Sequence, residues 1–134
     1  MSQANLDLVR RFHATYEAGD FAGMMVLCTP EIQLVPDAAV FPEAEPIVGR
    51  ERVQRWIEEA AVAWVHARYP LREVSEVGDD RVLIQGDWGG TGSVSGIDTL
   101  SSLSAVYTIR DGRISSAVYF FDHDRALKAV GLAG

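Results

Sequence analysis

The residues with the strongest claim to chemistry are a few aspartates beside apolar runs and one histidine–tyrosine pair. Asp122 follows Tyr119-Phe120-Phe121 and opens the triplet Asp122-His123-Asp124. A carboxyl group buried among such side chains has a raised pKa and suits proton transfer, so Asp122 is a candidate general acid or base. The competing use is structural, because an aspartate just before a helix is an N-cap, and the triplet offers two. If Asp124 is the cap, Asp122 is free for a pocket. Asp37, just past the alternating segment Glu31 to Pro36, is the second candidate acid or base. His13 and Tyr16 stand three apart on a helical segment and are therefore neighbours on its surface. Such a pair can hydrogen-bond a ligand oxygen, or simply satisfy itself at the core edge. Trp56, Trp88 and Tyr119 add aromatic walls, with Trp64, Tyr107, Phe120 and Phe121 as further candidates.

Other chemistries lack a pattern. His13, His66 and His123 are scattered and no HxxxH or CxxC spacing occurs, so neither a metal nor a cofactor is expected. The stretch Gly89-Gly90-Thr91-Gly92-Ser93-Val94-Ser95-Gly96 misses the GxGxxG spacing, since Ser95 sits where the last glycine belongs, and it reads as a flexible hairpin. A net charge of −7 without a basic run argues against a nucleic-acid partner. No segment approaches the roughly 20 apolar residues that span a bilayer, so no membrane partner is expected. The single Cys28 cannot form an intrachain disulfide, which points to a reducing, cytoplasmic setting.

These candidates need elements to hold them, and the apolar spacing supplies them. A helix is expected over Asn5 to Ala18, capped by Asn5 and ended by Gly19, with Leu6, Val9, Phe12, His13 and Tyr16 on one face. Asp20 caps a short second helix, Phe21 to Cys28, which Pro30 stops. Glu31 to Pro36 alternates as a strand, and Asp37 to Pro46 is a loop. Arg50 to His66 reads as a long amphipathic helix with Val53, Trp56, Ile57, Ala60 and Trp64 on its apolar face. Strands follow at Leu71 to Val77, Arg81 to Trp88, Ile97 to Arg110 and Arg113 to Phe121, the last two joined by the hairpin signature Asp111-Gly112. A short helix, Arg125 to Val130, ends at Gly131. No repeat or linker interrupts the chain, so one domain over residues 1–134 is expected. Helices first and an antiparallel meander later make an α+β fold.

The segments Val9-Arg10-Arg11-Phe12, Glu17-Ala18-Gly19-Asp20 and Ile47-Val48-Gly49-Arg50-Glu51-Arg52-Val53 resemble SnoaL-like sequences in their order. So do Val106 to Ile114, and the ending Tyr119-Phe120-Phe121-Asp122 with Arg125-Ala126-Leu127 and Val130-Gly131-Leu132. Together they make the chain similar to the SnoaL-like group of the nuclear-transport-factor-2-like and ketosteroid-isomerase-like superfamily. The resemblance implies a cone-shaped, curved antiparallel sheet (a cystatin-like roll) wrapped by three to four helices around an apolar pocket. It also implies a homodimer through the outer face of the sheet.

It does not imply one reaction, since this roll hosts many. Matched through Ala18-Gly19-Asp20, the tyrosine, base and protonated acid of ketosteroid isomerases fall on Phe12, Pro36 and Ala105. SnoaL-type cyclases need only one acid/base acting on an activated carbonyl compound, which leaves Asp122 or Asp37. Epoxide hydrolases of this roll need a buried Asp–Arg–Asp set, for which Asp87, Arg72 and Asp98 are the material. The reading at this level is a protein that binds a small hydrophobic molecule. It would act as an isomerase, cyclase or lyase through one carboxylate, with non-catalytic binding, a dimeric interaction module or epoxide hydrolysis as alternatives. The residues Thr99 to Tyr107 alternate with one small, hydroxylated face, which suits sheet-against-sheet dimer packing.

Overall fold

The computed structural model describes residues 3–132. Helix α1 (Gln3–Glu17) buries Leu8, Val9, Phe12, His13 and Tyr16, the face expected from their spacing. It already includes Gln3, so Asn5 lies inside the helix rather than capping it, and the Asn5 amide donates to the Asp79 carbonyl. Gly19 ends α1 at φ 74°, its N–H reaching back to the Tyr16 carbonyl, as a left-handed C-terminal glycine does. Asp20 caps α2 (Phe21–Val26) by accepting from the Gly23 N–H.

Strand β1 (Cys28–Val35) begins earlier than its alternation suggests, so Cys28 belongs to the sheet and not to a helix. The segment 36–46 follows as the expected loop, and a two-residue strand, β2 (Ile47–Val48), pairs back onto β1. Helix α3 (Arg50–Ala61) stops short of the expected His66. Residues 64–68 are instead strand β3 (Trp64–Arg68), which pairs with the glycine stretch of the sheet. Then come β4 (Leu71–Val77), β5 (Arg81–Gly92), β6 (Asp98–Arg110) and β7 (Arg113–Phe120), and finally α4 (His123–Ala129). Asp111 and Gly112, at φ 53° and 75°, make the two-residue turn their sequence announces.

The seven strands form one sheet in the order β2-β1-β7-β6-β5-β3, with β4 also paired to β5. Pairing is antiparallel except where β1 lies parallel to β7, a pairing between distant segments that local alternation cannot show. The glycine stretch is not a flexible hairpin throughout, because Gly89–Gly92 continue β5 and carry β3 on one side and β6 on the other.

Side chains of β6 divide between two cores. Leu103, Ala105 and Tyr107 face the concave side, where they meet α1, α2 and α3. Val106 faces the opposite side, where Ala126 of α4 and Val130 at its C-cap cover it together with Val77 and Leu83. Ser104, on that same side, is buried and its hydroxyl bonds His123 Nδ1 at 2.7 Å. Helix α4 therefore occupies part of the outer face assigned from sequence to a dimer contact. No helix among the described residues is long and apolar enough to cross a membrane.

Candidate functional site

A cavity of about 410 Å³ opens between the concave face of the sheet and helices α1 and α3. Its lining includes His13, Tyr16, Trp56, Trp88, Tyr119 and Asp37, but not Asp122. Phe12, Phe41, Tyr69, Leu103, Tyr107 and Phe121 complete much of the wall. The dimensions fall within the range of small-molecule sites, which run from about 300 to 1,000 Å³.

His13 and Tyr16 share the cavity without pairing to each other. His13 is buried, its Nδ1 lying 3.1 Å from the Tyr69 carbonyl oxygen and its Nε2 2.7 Å from the Tyr107 hydroxyl. A carbonyl can only accept, so Nδ1 carries the proton and Nε2 accepts from Tyr107. Burial lowers the His13 pKa to about 4, against a smaller upward pull from the Tyr69 carbonyl. The imidazole is therefore neutral at pH 7 and both its nitrogens are committed. The Tyr69 peptide is held from both ends, since its N–H also donates to Glu17 Oε2 at 2.8 Å. Its hydroxyl donates to the Leu103 carbonyl at 2.9 Å. Residue 69 thus fastens α1 to the sheet at the point where β3 gives way to β4.

Tyr16 has a different partner. The Trp88 indole N–H, a donor only, bonds the Tyr16 oxygen at 3.0 Å. Trp88 is itself fixed edge-on by Trp64 and Phe121, with ring centroids 5.6 and 6.3 Å away. Burial raises the Tyr16 pKa, as it does those of Tyr107 and Tyr119, so all three hydroxyls keep their protons at neutral pH.

The two aspartates sit in unlike places. Asp37 is 2% exposed and is saturated with donors. Oδ1 accepts from Arg125 Nη1 at 2.7 Å and from the Ala39 N–H at 3.0 Å. Oδ2 accepts from Arg125 Nη2 at 2.6 Å and from the Phe121 N–H at 2.7 Å. The bidentate Arg125 pair holds the Asp37 carboxyl down to about 2 despite burial, with the Phe121 and Ala39 N–H groups helping. Asp37 is thus an anion at neutral pH that ties the start of the 36–46 loop to the junction of β7 and α4. Asp122 is exposed and caps α4 by accepting from the Asp124 N–H at 2.9 Å.

The Asp–Arg–Asp material does not gather in the cavity. Arg72 reaches Asp87 at 3.2 Å on the solvent side, half exposed, and Asp98 bonds Thr91. Among the described residues no group of three or more His, Cys, Asp or Glu side chains could hold a metal ion. Sequence reasoning missed Arg125, Tyr69, Leu103 and Phe41. Only Tyr69 carried a signal, an aromatic residue just before Pro70 and three residues past the expected end of the third helix.

A SnoaL-like domain model matches residues 9–117. The chain belongs to the SnoaL-like family. No curated protein matches its sequence. Solved structures resemble this SnoaL-like protein closely in shape and weakly in sequence. A protein from Catenulispora acidiphila with a ketosteroid isomerase-like fold, in complex with trimethylamine, is 17% identical at a TM-score of 0.75, covering 93% of this chain and 92% of that one. TerC co-crystallised with polyporic acid is 18% identical at 0.74, over 96% and 98%. A cystatin-fold protein from Novosphingobium aromaticivorans is 16% identical at 0.73, over 89% and 99%. At these identities the likeness establishes the roll, and chemistry is argued from this chain's own side chains.

Proposed function

We propose that this SnoaL-like protein binds a small hydrophobic molecule in the cavity between α1, α3 and the concave sheet. The observation that carries the reading is the lining itself, in which nine aromatic side chains surround a few oriented polar groups. Apolar surface removed from water there contributes about 25 cal/mol per Å² to binding. That two similar structures were determined with trimethylamine and polyporic acid supports a small-molecule role for this roll.

Binding without a carboxylate acid or base is better supported than an isomerase, cyclase or lyase reaction driven by Asp37 or Asp122. A general base needs a lone pair free for the substrate proton, and Asp37 has both oxygens doubly occupied. Asp122 spends its carboxylate on the α4 N-terminus. Epoxide hydrolysis has still less support, because Arg72 and Asp87 face solvent. The lone thiol, buried in β1, accords with a cytoplasmic setting.

A titration with 2-acetylnaphthalene followed by tryptophan fluorescence tests the reading, since Trp56 and Trp88 line the space. Saturable quenching is expected. The variant Ala60→Trp, which fills the mouth from α3, is expected to weaken binding at least tenfold while leaving the melting temperature within a few degrees. Unchanged binding by a folded Ala60→Trp protein would place the ligand elsewhere and overturn the reading.

A second copy of the chain is proposed as a partner at the part of the outer face that α4 leaves open. There Leu100 and, toward the β3 edge, Val65 and Ile97 are exposed. Sedimentation equilibrium at micromolar concentration is expected to give twice the chain mass, and a monomer throughout would remove the proposal.

A further inference from the structure

Resting on the reading that the cavity holds a hydrophobic molecule, we propose that its polar anchor is the Tyr16 hydroxyl, acting as a hydrogen-bond donor. The cavity then selects ligands that present an accepting carbonyl oxygen, such as aryl ketones, over equally apolar ligands without one.

The argument is an accounting of protons. The Tyr107 proton goes to His13 Nε2, because the Tyr69 carbonyl has fixed the tautomer of the ring. The Tyr69 proton goes to the Leu103 carbonyl. Tyr119 packs edge-on against Tyr107, with ring centroids 6.3 Å apart, and no ring N–H among the described residues fixes its hydroxyl. His13 has no nitrogen to spare. Tyr16 differs, because its oxygen receives the Trp88 N–H and no hydrogen bond among the described residues takes up its own proton.

An indole N–H at 3.0 Å also fixes which lone pair of Tyr16 is used, and Trp88 is held in turn by Trp64 and Phe121. The hydroxyl proton is therefore turned away from Trp88 on a side chain that lines the cavity. Burial keeps that proton on the oxygen at neutral pH. A donor oriented in advance inside an apolar wall favours the group that can accept from it, since orientation is not lost again on binding. Trp88 is a positioning residue in this scheme, and Tyr16 is the contact.

The test compares two probes of nearly equal shape, 2-acetylnaphthalene and 2-ethylnaphthalene, on the full chain and on Tyr16→Phe. Removing the hydroxyl is expected to weaken the ketone about tenfold and to change the hydrocarbon by less than twofold, in line with the loss of one oriented hydrogen bond. Trp88→Phe is expected to weaken the ketone about threefold by freeing the Tyr16 rotor. In the unmodified protein the bound ketone's carbonyl stretch is expected below its value in hexane, and that shift should vanish in Tyr16→Phe. Equal loss of both probes, no loss of either, or an unshifted carbonyl band would overturn the donor assignment while leaving the cavity reading in place. Failure of the unmodified protein to bind either probe would overturn the cavity reading, and this proposal with it.

Discussion

Asp37→Ala is expected to lower the free energy of unfolding at pH 7 by about 3 kcal/mol, the low end of what breaking a buried ion pair costs. The low end applies because Arg125 is 36% exposed and can return to water once its partner is gone. What cannot return is the pair of backbone donors, Ala39 N–H and Phe121 N–H, which lose a carboxylate in a closed place. The pH dependence follows from the direction of the shift. The folded-state pKa, about 2, lies below the ordinary 3.8, so Asp37 stabilises the fold fully above the unfolded value. That contribution is lost as pH falls from about 4 through the folded value. Asp37→Asn keeps the shape without the titration, and its urea midpoint should converge on that of the unmodified protein as pH drops from 5 to 2. A constant gap between the two across that range would show that Asp37 does not carry the charge assigned to it.

Periodicity is a property of faces, and faces were legible. The spacing of Val9, Phe12, His13 and Tyr16 put them on one side of α1, and that side forms one wall of the cavity. The hairpin at Asp111-Gly112 and the stop at Gly19 were equally plain, because a positive φ leaves its mark on residue type. Pairings were not legible. Arg125 meets Asp37 across 88 positions and His13 meets Tyr107 across 94, and neither residue type advertises its partner.

Trp64 shows how a face can mislead. It lies four residues after Ala60 and so continues the apolar stripe of α3, but the helix has already ended and Trp64 turns into β3. What decides its state is Gly89–Gly92, a bare stretch of β5 that another backbone can approach closely. The same loss of local information explains the aspartates. Whether Asp37 or Asp122 faces a pocket depends on what lies beside it in space, and the sequence holds only what lies beside it in the chain.

Those glycines give the second large effect. A Cβ at Gly90 would stand 2.3 Å from the His66 carbonyl oxygen, and one at Gly89 would stand 2.0 Å from that of Thr99. Both obstacles are backbone, so neither strand can yield by changing a rotamer. Gly90→Ala should cost about 3 kcal/mol, the upper end of overpacking, because β3 must move off β5. Gly96→Ala is the control. It also has a positive φ, 70°, but nothing lies within 4 Å of the added carbon. Its cost should be about 1 kcal/mol, the conformational penalty alone. The difference bears on the site, since a Cβ at Gly90 also presses on Trp64 at 3.2 Å, and Trp64 buttresses the indole that orients Tyr16. Gly90→Ala is therefore expected to lose affinity for 2-acetylnaphthalene more than for 2-ethylnaphthalene, whereas Gly96→Ala should leave both unchanged. Equal melting temperatures for the two variants would mean that β3 is not held against Gly90, and an unchanged ketone affinity in Gly90→Ala would mean that Trp64 has no part in the support of Trp88.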